Sequence, residues 1–361
     1  MLVLYHSFTV LCHDSVELVN GRIIRSRDCP GRIWAILCAL SYDGFHQLQE
    51  LPPLPVPPLP DPPHPQGMTN GVTNGATNST TNGTTNGMTN GRTNDFGPPI
   101  SKFITETHDA WYLRYLQDIH GQWVQLGMID PAGTILPDCS RLPSAARAGA
   151  APREPKHPAA RPGYYSFDLS SGIAIDSWSA IVVSAELAVE AFHRKYSNEE
   201  KPPQIAILDI DFNHGNGTQD YFFTDPSVVY VSIHGEDEYP YYTGHASERG
   251  AGNAQDANLN LPLATGSSAE EYIKKLDQAV EFLEAAEPEY LVVSLGFNTY
   301  YRDPQGFFDI QTEDYVRIGA RIRCQSGLQD IPAVLLLEGG YDTETLGANL
   351  LAFLEGWENR F

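Results

Sequence analysis

Cysteine is scarce in this sequence and shows no pairing pattern. The five cysteines, Cys12, Cys29, Cys38, Cys139 and Cys324, are odd in number and form no Cys-x-x-Cys pair. That spacing suits neither a disulfide framework nor a zinc ribbon, and it fits a reducing compartment. Basic residues are also few: 23 lysines and arginines stand against 45 acids, a formal charge of −22. The imbalance argues against a phosphate-binding surface, so no direct nucleic-acid partner is expected, and it favours solubility or cationic ligands. No apolar run approaches the roughly 20 residues of a membrane span. The opening MLVLYHSFTVLC lacks a basic flank and reads as a short buried strand, not a leader. Gly-x-Ser-x-Gly elbows, phosphate-binding Gly-Lys-Ser/Thr loops and dinucleotide fingerprints are missing as well. The expectation is a cytoplasmic or nuclear protein without a membrane partner.

What is present divides the 361 residues unevenly. Residues 51–65, LPPLPVPPLPDPPHP, form a proline tract, stiff and extended, which offers a docking site to proline-reading protein partners. Residues 68–95 follow as a four-residue Thr-Asn-Gly repeat with no apolar face to bury, so they are read as disordered. Within the repeat Asn78 and Asn82 head formal glycosylation sequons, taken as chance matches without a secretory signal. The expected organisation is one domain, made of 1–50 and 96–361, with 51–95 as a disordered insert. With 42% hydrophobic residues the chain has ample material for a core.

Beyond the insert, helical spacing runs over 107–127, and a Pro- and Ala-rich loop is expected at 142–162. A helix near 177–196 precedes strands at 204–210 and 227–234. A long loop then leads to a helix over 268–286, a strand over 289–298, a helix near 312–325, a strand over 333–341 and a final helix near 343–357. Continuous Val/Ile/Leu strands alternating with helices predict an α/β fold with a parallel sheet covered on both faces. Ligands in such sheets collect at the carboxyl ends of the strands. Asp209, Asp211, Ser232, His234, Asn298, Glu338 and Tyr341 all fall there. Side chains two apart on a strand share a face, so Asp209, Asp211 and Asn213 are expected to point the same way.

The segments ILDIDFNHGNGTQ, VSIHGEDEYPYYTGHASERGAGNAQDANLNLPLATG, VVSLGFNTYYRDPQGFF and LLEGGYDTETLGANLLAFLEG resemble the histone deacetylase superfamily, and within it the acetylpolyamine amidohydrolases. Residues 3–40 and RPGYYSFDLSSGIAIDSW look like the same branch. The resemblance implies an arginase-like three-layer α/β fold with a mainly parallel sheet. It also implies a zinc hydrolase that cleaves acetyl amides of lysine or polyamines, and a homodimer. By position, Asp211, Asn213 and Asn298 match the zinc ligands, and Tyr341 matches the tyrosine that polarises the acetyl carbonyl. Asp209, Asp211 and Ser232 match side chains of a potassium site.

Two of the three zinc positions carry neutral amides, which are poor zinc ligands beside imidazole or carboxylate. The family's Pro-Gly-His-His loop, source of its general base and acid, has no counterpart: no two histidines are adjacent anywhere in the chain. Tyr164 and Tyr165 in RPGYYSF mimic that loop, yet they match the family's upstream Tyr-Tyr-x-Phe-Asp segment better. The strand and loop that carry the histidines are therefore read as absent, which leaves a gap in the parallel sheet. Without zinc, Tyr341 is expected to pack and hydrogen-bond, and His214 and His234 to serve as hydrogen-bonded strand-end residues. The acids and aromatics of GEDEYPYY, 235–242, suit a cationic or acylated-amine small molecule. The reading is a pseudoenzyme or binding partner that retains potassium. Its alternatives are a repurposed small-molecule tailoring enzyme and an active deacetylase whose sequence here lacks the histidine segment.

Overall fold

The structure, a computed structural model, describes residues 1–5, 15–19, 22–51, 102–140, 154–194 and 203–360. The insert expected at 51–95 lies outside the described residues except for Leu51, as does Cys12. In chain order the elements are β1 (Leu2–Tyr5), β2 (Val16–Val19), β3 (Arg22–Arg25), α1 (Pro30–Asp43), β4 (Gln47–Glu50), α2 (Lys102–Thr107), α3 (Ala110–Gln125), α4 (Arg161–Tyr165) and α5 (Ser177–His193). Then follow β5 (Ile205–Asp209), α6 (Asn216–Phe222), β6 (Val228–Gly235), β7 (Asn258–Leu263), α7 (Ala269–Glu284), β8 (Tyr290–Leu295), α8 (Asp314–Arg323), β9 (Ala333–Leu337) and α9 (Leu346–Trp357).

A five-stranded, all-parallel sheet in the order β7-β6-β5-β8-β9 forms the centre. The period of two along each strand divides its contacts. Ala206 and Leu208 of β5, with Val229, Val231 and Ile233 of β6 and Leu291, Val293 and Leu295 of β8, pack against α1, α7, α8 and α9. Ile205, Ile207, Tyr230 and Val292 face the other way, onto Phe222 of α6, and Phe192 of α5 meets Tyr290 there at 5.9 Å between ring centroids. These are the expected three layers. Each fully buried Val, Leu or Ile contributes roughly 1.5–3 kcal/mol.

β7 was not expected. Its sequence, Asn-Leu-Asn-Leu-Pro-Leu, lies inside the stretch read as a long loop. The two asparagines and the proline mask the strand pattern, and an edge position tolerates them. The strands also end earlier than their apolar runs suggest. β5 stops at Asp209, β8 at Leu295 and β9 at Leu337, so Asp211, Asn213, Asn298, Glu338 and Tyr341 all sit in turns beyond the sheet. The opening strand is half-buried, not buried, and pairs in parallel with β4 as a separate two-stranded sheet. Residues 142–153 of the loop expected at 142–162 lie outside the described residues, and its end is helical at Pro158–Ala160 and α4. Among the described residues no helix is long and apolar enough to cross a membrane, and Cys29, Cys38, Cys139 and Cys324 are free.

Candidate functional site

β5 delivers Asp209 to the end of the sheet, side by side with Ser232 of β6. Its carboxylate accepts from the Tyr230 hydroxyl at 2.9 Å and from the Asp211 N–H at 3.1 Å. Burial, and then the neighbouring Asp211, raise the Asp209 carboxyl well above the usual range. Asp211 does not share this direction, contrary to the strand-alternation expectation. The chain has left the strand by then, and the Asp211 carboxylate turns to Asn298 and to the turn after β9.

Three N–H groups claim the Asp211 carboxylate. The Asn298 side-chain amide donates to Oδ1 at 2.7 Å, the Asn213 N–H to Oδ1 at 2.8 Å, and the Gly339 N–H to Oδ2 at 2.8 Å. The same Asn298 amide nitrogen donates to Asn213 Oδ1 at 3.2 Å. Its orientation is set on the other side, where Asn298 Oδ1 accepts from the Phe212 N–H at 3.0 Å. Asp211, Asn213 and Asn298 are thus brought together, with the Asn298 amide NH₂ donating to an oxygen of each of the other two. Close approach here depends on glycine. A Cβ on Gly296 would lie 2.2 Å from Asp211 Oδ2, and one on Gly339 2.5 Å from the same atom.

The turn after β9 carries Glu338 and Tyr341. Asp303 accepts from the Tyr341 and Asp342 N–H groups at 2.5 and 3.1 Å. Arg32 of α1 fixes the turn from the far side of the sequence. It donates to the Gly340 carbonyl at 2.6 Å and to the Glu338 carbonyl, and its guanidinium lies 4.6 Å over the Tyr341 ring. Burial raises the Tyr341 phenol further above its ordinary range, so it stays protonated as a hydrogen-bond donor. Sequence reading did not single out Arg32 or Asp303. Arg32 acts across more than 300 residues, and no local pattern announces it.

His234 near the end of β6 is hydrogen-bonded as expected, and His214 is hydrogen-bonded too, in the turn between β5 and α6. His214 bonds Thr243 and Gln219 through its two ring nitrogens, at 2.9 and 3.1 Å, and His234 bonds Ser232 and the Gly244 carbonyl at 2.9 and 3.0 Å. Burial lowers both, His234 to about 4, and keeps them neutral. Tyr165 stacks on Tyr115 of α3 at 4.5 Å, inside an apolar cluster with Ile119 and Ile135. Phe167 and Asp168 further along the same segment line the central cavity, and Asp168 accepts from Tyr239 at 2.5 Å.

The donor set does not fit zinc. Asp211 offers one carboxylate whose oxygens already accept three N–H bonds, and its companions are neutral amides. Among the described residues no three His, Cys, Asp or Glu side chains group to hold a metal ion. At the neighbouring position Asp209 accepts from Tyr230 and the Asp211 N–H, and Ser232 Oγ bonds His234 Nδ1.

Residues 181–357 match the family model described as the histone deacetylase domain. The chain is 35% identical to acetylpolyamine amidohydrolase 1 of Pseudomonas aeruginosa over 291 residues, 70% of this chain and 81% of that protein. It is 31% identical to acetylpolyamine amidohydrolase 2 of the same organism, over 71% of this chain and 82% of that one. The crystal structure of an acetylpolyamine aminohydrolase from Burkholderia pseudomallei superposes with a TM-score of 0.73 at 25% identity, covering 99% of this chain and 98% of that one. The HD domain of HDA15 shares the fold with a TM-score of 0.62 at 16% identity, over 99% of this chain and 88% of that one. Together with the parallel α/β fold, these likenesses establish that the chain belongs to the histone deacetylase superfamily, in its acetylpolyamine amidohydrolase branch.

Proposed function

We propose that this protein is a non-hydrolytic member of its family, which binds a cationic or acylated amine at the old pocket without cleaving it. The observation that carries this reading is the Asn298 amide, which donates to both Asp211 and Asn213 where the family's ligand positions fall. A donor in that place satisfies the acceptors that a metal would need. Hydrolysis of an amide at neutral pH requires an activated water, and among the described residues no His, Cys, Asp or Glu group is placed to hold a metal that would activate one. Tyr341, held protonated, remains able to donate a hydrogen bond to an acyl oxygen. The exposed rings of Tyr241 and Tyr242 and the acids before them suit the cationic end of such a ligand.

Potassium belongs to the same reading. Asp209 and Ser232 lie side by side at the ends of β5 and β6, and their oxygens are the hard donors that a monovalent cation takes. The test is calorimetric titration of an acetylated polyamine such as N-acetylputrescine, with acetate release followed in parallel after zinc loading. Binding without release supports the proposal; acetate release dependent on zinc contradicts it.

A further inference from the structure

The turn after β6 borders the central cavity beside Asp211 and Asn213, with Glu238, Tyr239, Tyr241 and Tyr242 among its lining residues. The Asn213 side chain donates to the Tyr239 carbonyl at 3.3 Å. Two backbone positions in this turn are strained. Tyr241 has a φ of +70° and Asp237 a φ of +57°, in the left-handed region that a side chain disfavours. Aspartate reaches that region with help from its short polar side chain, and tyrosine has no such help. Strained residues persist only where their surroundings over-determine them, and they gather at ligand clamps and switch regions. What holds Tyr241 in place therefore bears on what the turn does.

The turn is anchored at both ends. Upstream, the Gly235 N–H donates to the Phe212 carbonyl at 2.9 Å and the Glu236 N–H to the Leu263 carbonyl at 2.8 Å. Glu238 Oε1 accepts from the Thr265 hydroxyl at 3.0 Å. Downstream, three bonds converge on Thr243 and Gly244. His214 Nδ1 and the Thr243 hydroxyl are 2.9 Å apart, His234 Nε2 bonds the Gly244 carbonyl at 3.0 Å, and the Gly244 N–H donates to Glu248 Oε2 at 2.9 Å. The approach is close: a Cβ on Gly244 would lie 2.5 Å from His234 Nε2.

Glu248 Oε2 serves more than Gly244. It also accepts from the Gln219 side-chain amide at 2.7 Å and from that of Asn260 at 3.4 Å. Gln219 Oε1 in turn accepts from the Asn258 and Asn260 amides at 3.0 and 2.7 Å. Gln219, Asn258 and Asn260 are buried, so the two asparagines that hide β7 from its sequence face a hub of α6, β7 and Glu248. That hub meets the turn's backbone at the Gly244 N–H. Removing Glu248 leaves the Gly244 N–H and the Gln219 amide without that acceptor, and the turn shifts to satisfy them. We propose that Glu248 is a positioning residue for ligand binding at the cavity. It does not line the cavity, and by holding Gly244 it keeps Tyr241 in the left-handed turn that the ligand meets. The inference rests on the reading that an acylated amine binds there. Without Glu248 the binding-competent turn becomes a minority form, and apparent affinity falls by that fraction.

The experiment uses the full chain and two readouts: calorimetric titration with N-acetylputrescine, and amide hydrogen exchange without ligand. Glu248→Ala is expected to weaken binding at least about tenfold. It is also expected to speed exchange at residues 241–244 while β5 and β8 keep their protection. Glu248→Gln still offers an oxygen to the same donors and is expected to recover most of both losses. The Gln variant separates positioning from attraction of charge: an equal loss of affinity in both variants would mean that the carboxylate draws the cation directly, and overturns the proposal. Unchanged exchange at 241–244 in the Ala variant also overturns it, as does faster exchange throughout the sheet, which would assign Glu248 to overall stability. Glu248→Asp, which withdraws the oxygen from Gly244, takes the place of Ala if that variant does not fold. If the wild-type chain binds no N-acetylputrescine, the ligand reading fails, and the exchange readout still decides whether Glu248 holds the turn.

Discussion

Asn298 holds together three segments that lie far apart in sequence, through an acceptor bond from Phe212 and donor bonds to Asp211 and Asn213. Asn298→Asp replaces the donor with a second carboxylate facing Asp211. A loss of roughly 1–3 kcal/mol is expected, the cost of unsatisfied buried polar groups. Mutual repulsion raises the pair's pKa, so the protonated form is favoured in the fold and the lost stability returns as pH falls. Thermal melts across pH check this, and a loss that is flat with pH would oppose it. Glu338 gives a second pH signature. Solvent reaches it through the cavity, yet burial first, and then Asp211, push its carboxyl up to about 7. A group whose folded pKa lies above its unfolded value stabilises the fold when protonated. That contribution is present below the ordinary Glu value and fades as pH rises through about 7. Glu338→Gln is expected to flatten the stability curve over that window. An unchanged slope would mean the carboxyl titrates normally. At this scale the site was partly legible. Asp211, Asn213, Asn298 and Tyr341 stand out by residue type at strand ends, but their hydrogen-bond directions do not. Alternation along β5 suggested that Asp209 and Asp211 point together, and the end of the strand at Asp209 separates them. Arg32 and Asp303 act through backbone carbonyls and N–H groups, which leave no pattern in the sequence.

At the scale of elements, the long apolar strands and the amphipathic helices were readable because period and length agree. α7 carries a full capping box, with Ser268 accepting from the Glu271 N–H and the Glu271 side chain accepting from the Ser268 N–H. Ser268→Ala is expected to cost about 1 kcal/mol, read as a lower denaturation midpoint with an unchanged slope. A wild-type midpoint would place the helix start elsewhere. Two strand ends were overrun, by three residues at 296–298 and by four at 338–341, where polar site residues continue the β-like pattern. β7 escaped notice because an edge strand need not look apolar. Glycine packing sets two close approaches: a Cβ on Gly306, beyond β8, would lie 1.3 Å from the Asn298 carbonyl oxygen, and one on Gly356 of α9 would lie 1.9 Å from that of Val316 in α8. Gly356→Ala in α9 is therefore expected to separate α9 from α8 and to destabilise the fold by at least about 1–3 kcal/mol, seen as a drop in melting temperature. A wild-type melt would rule out that close packing.

At the scale of the molecule, the chain keeps the layers and the parallel sheet of its family. Its −22 charge is spread over this frame, with a concentration of carboxylates at the mouth of the central cavity. The parallel sheet and its covering helices were legible in the sequence. How α1, α5 and α9 pack around the central cavity was not, since it depends on contacts far apart in the chain. The account turns on whether the site can hold zinc. The direct measurement is metal content by mass spectrometry of purified protein, loaded with zinc and potassium and then freed of weakly bound ions. The account predicts potassium and no retained zinc, with zinc gained when Asn213→His and Asn298→Asp are combined. One tightly held zinc per wild-type chain would contradict it.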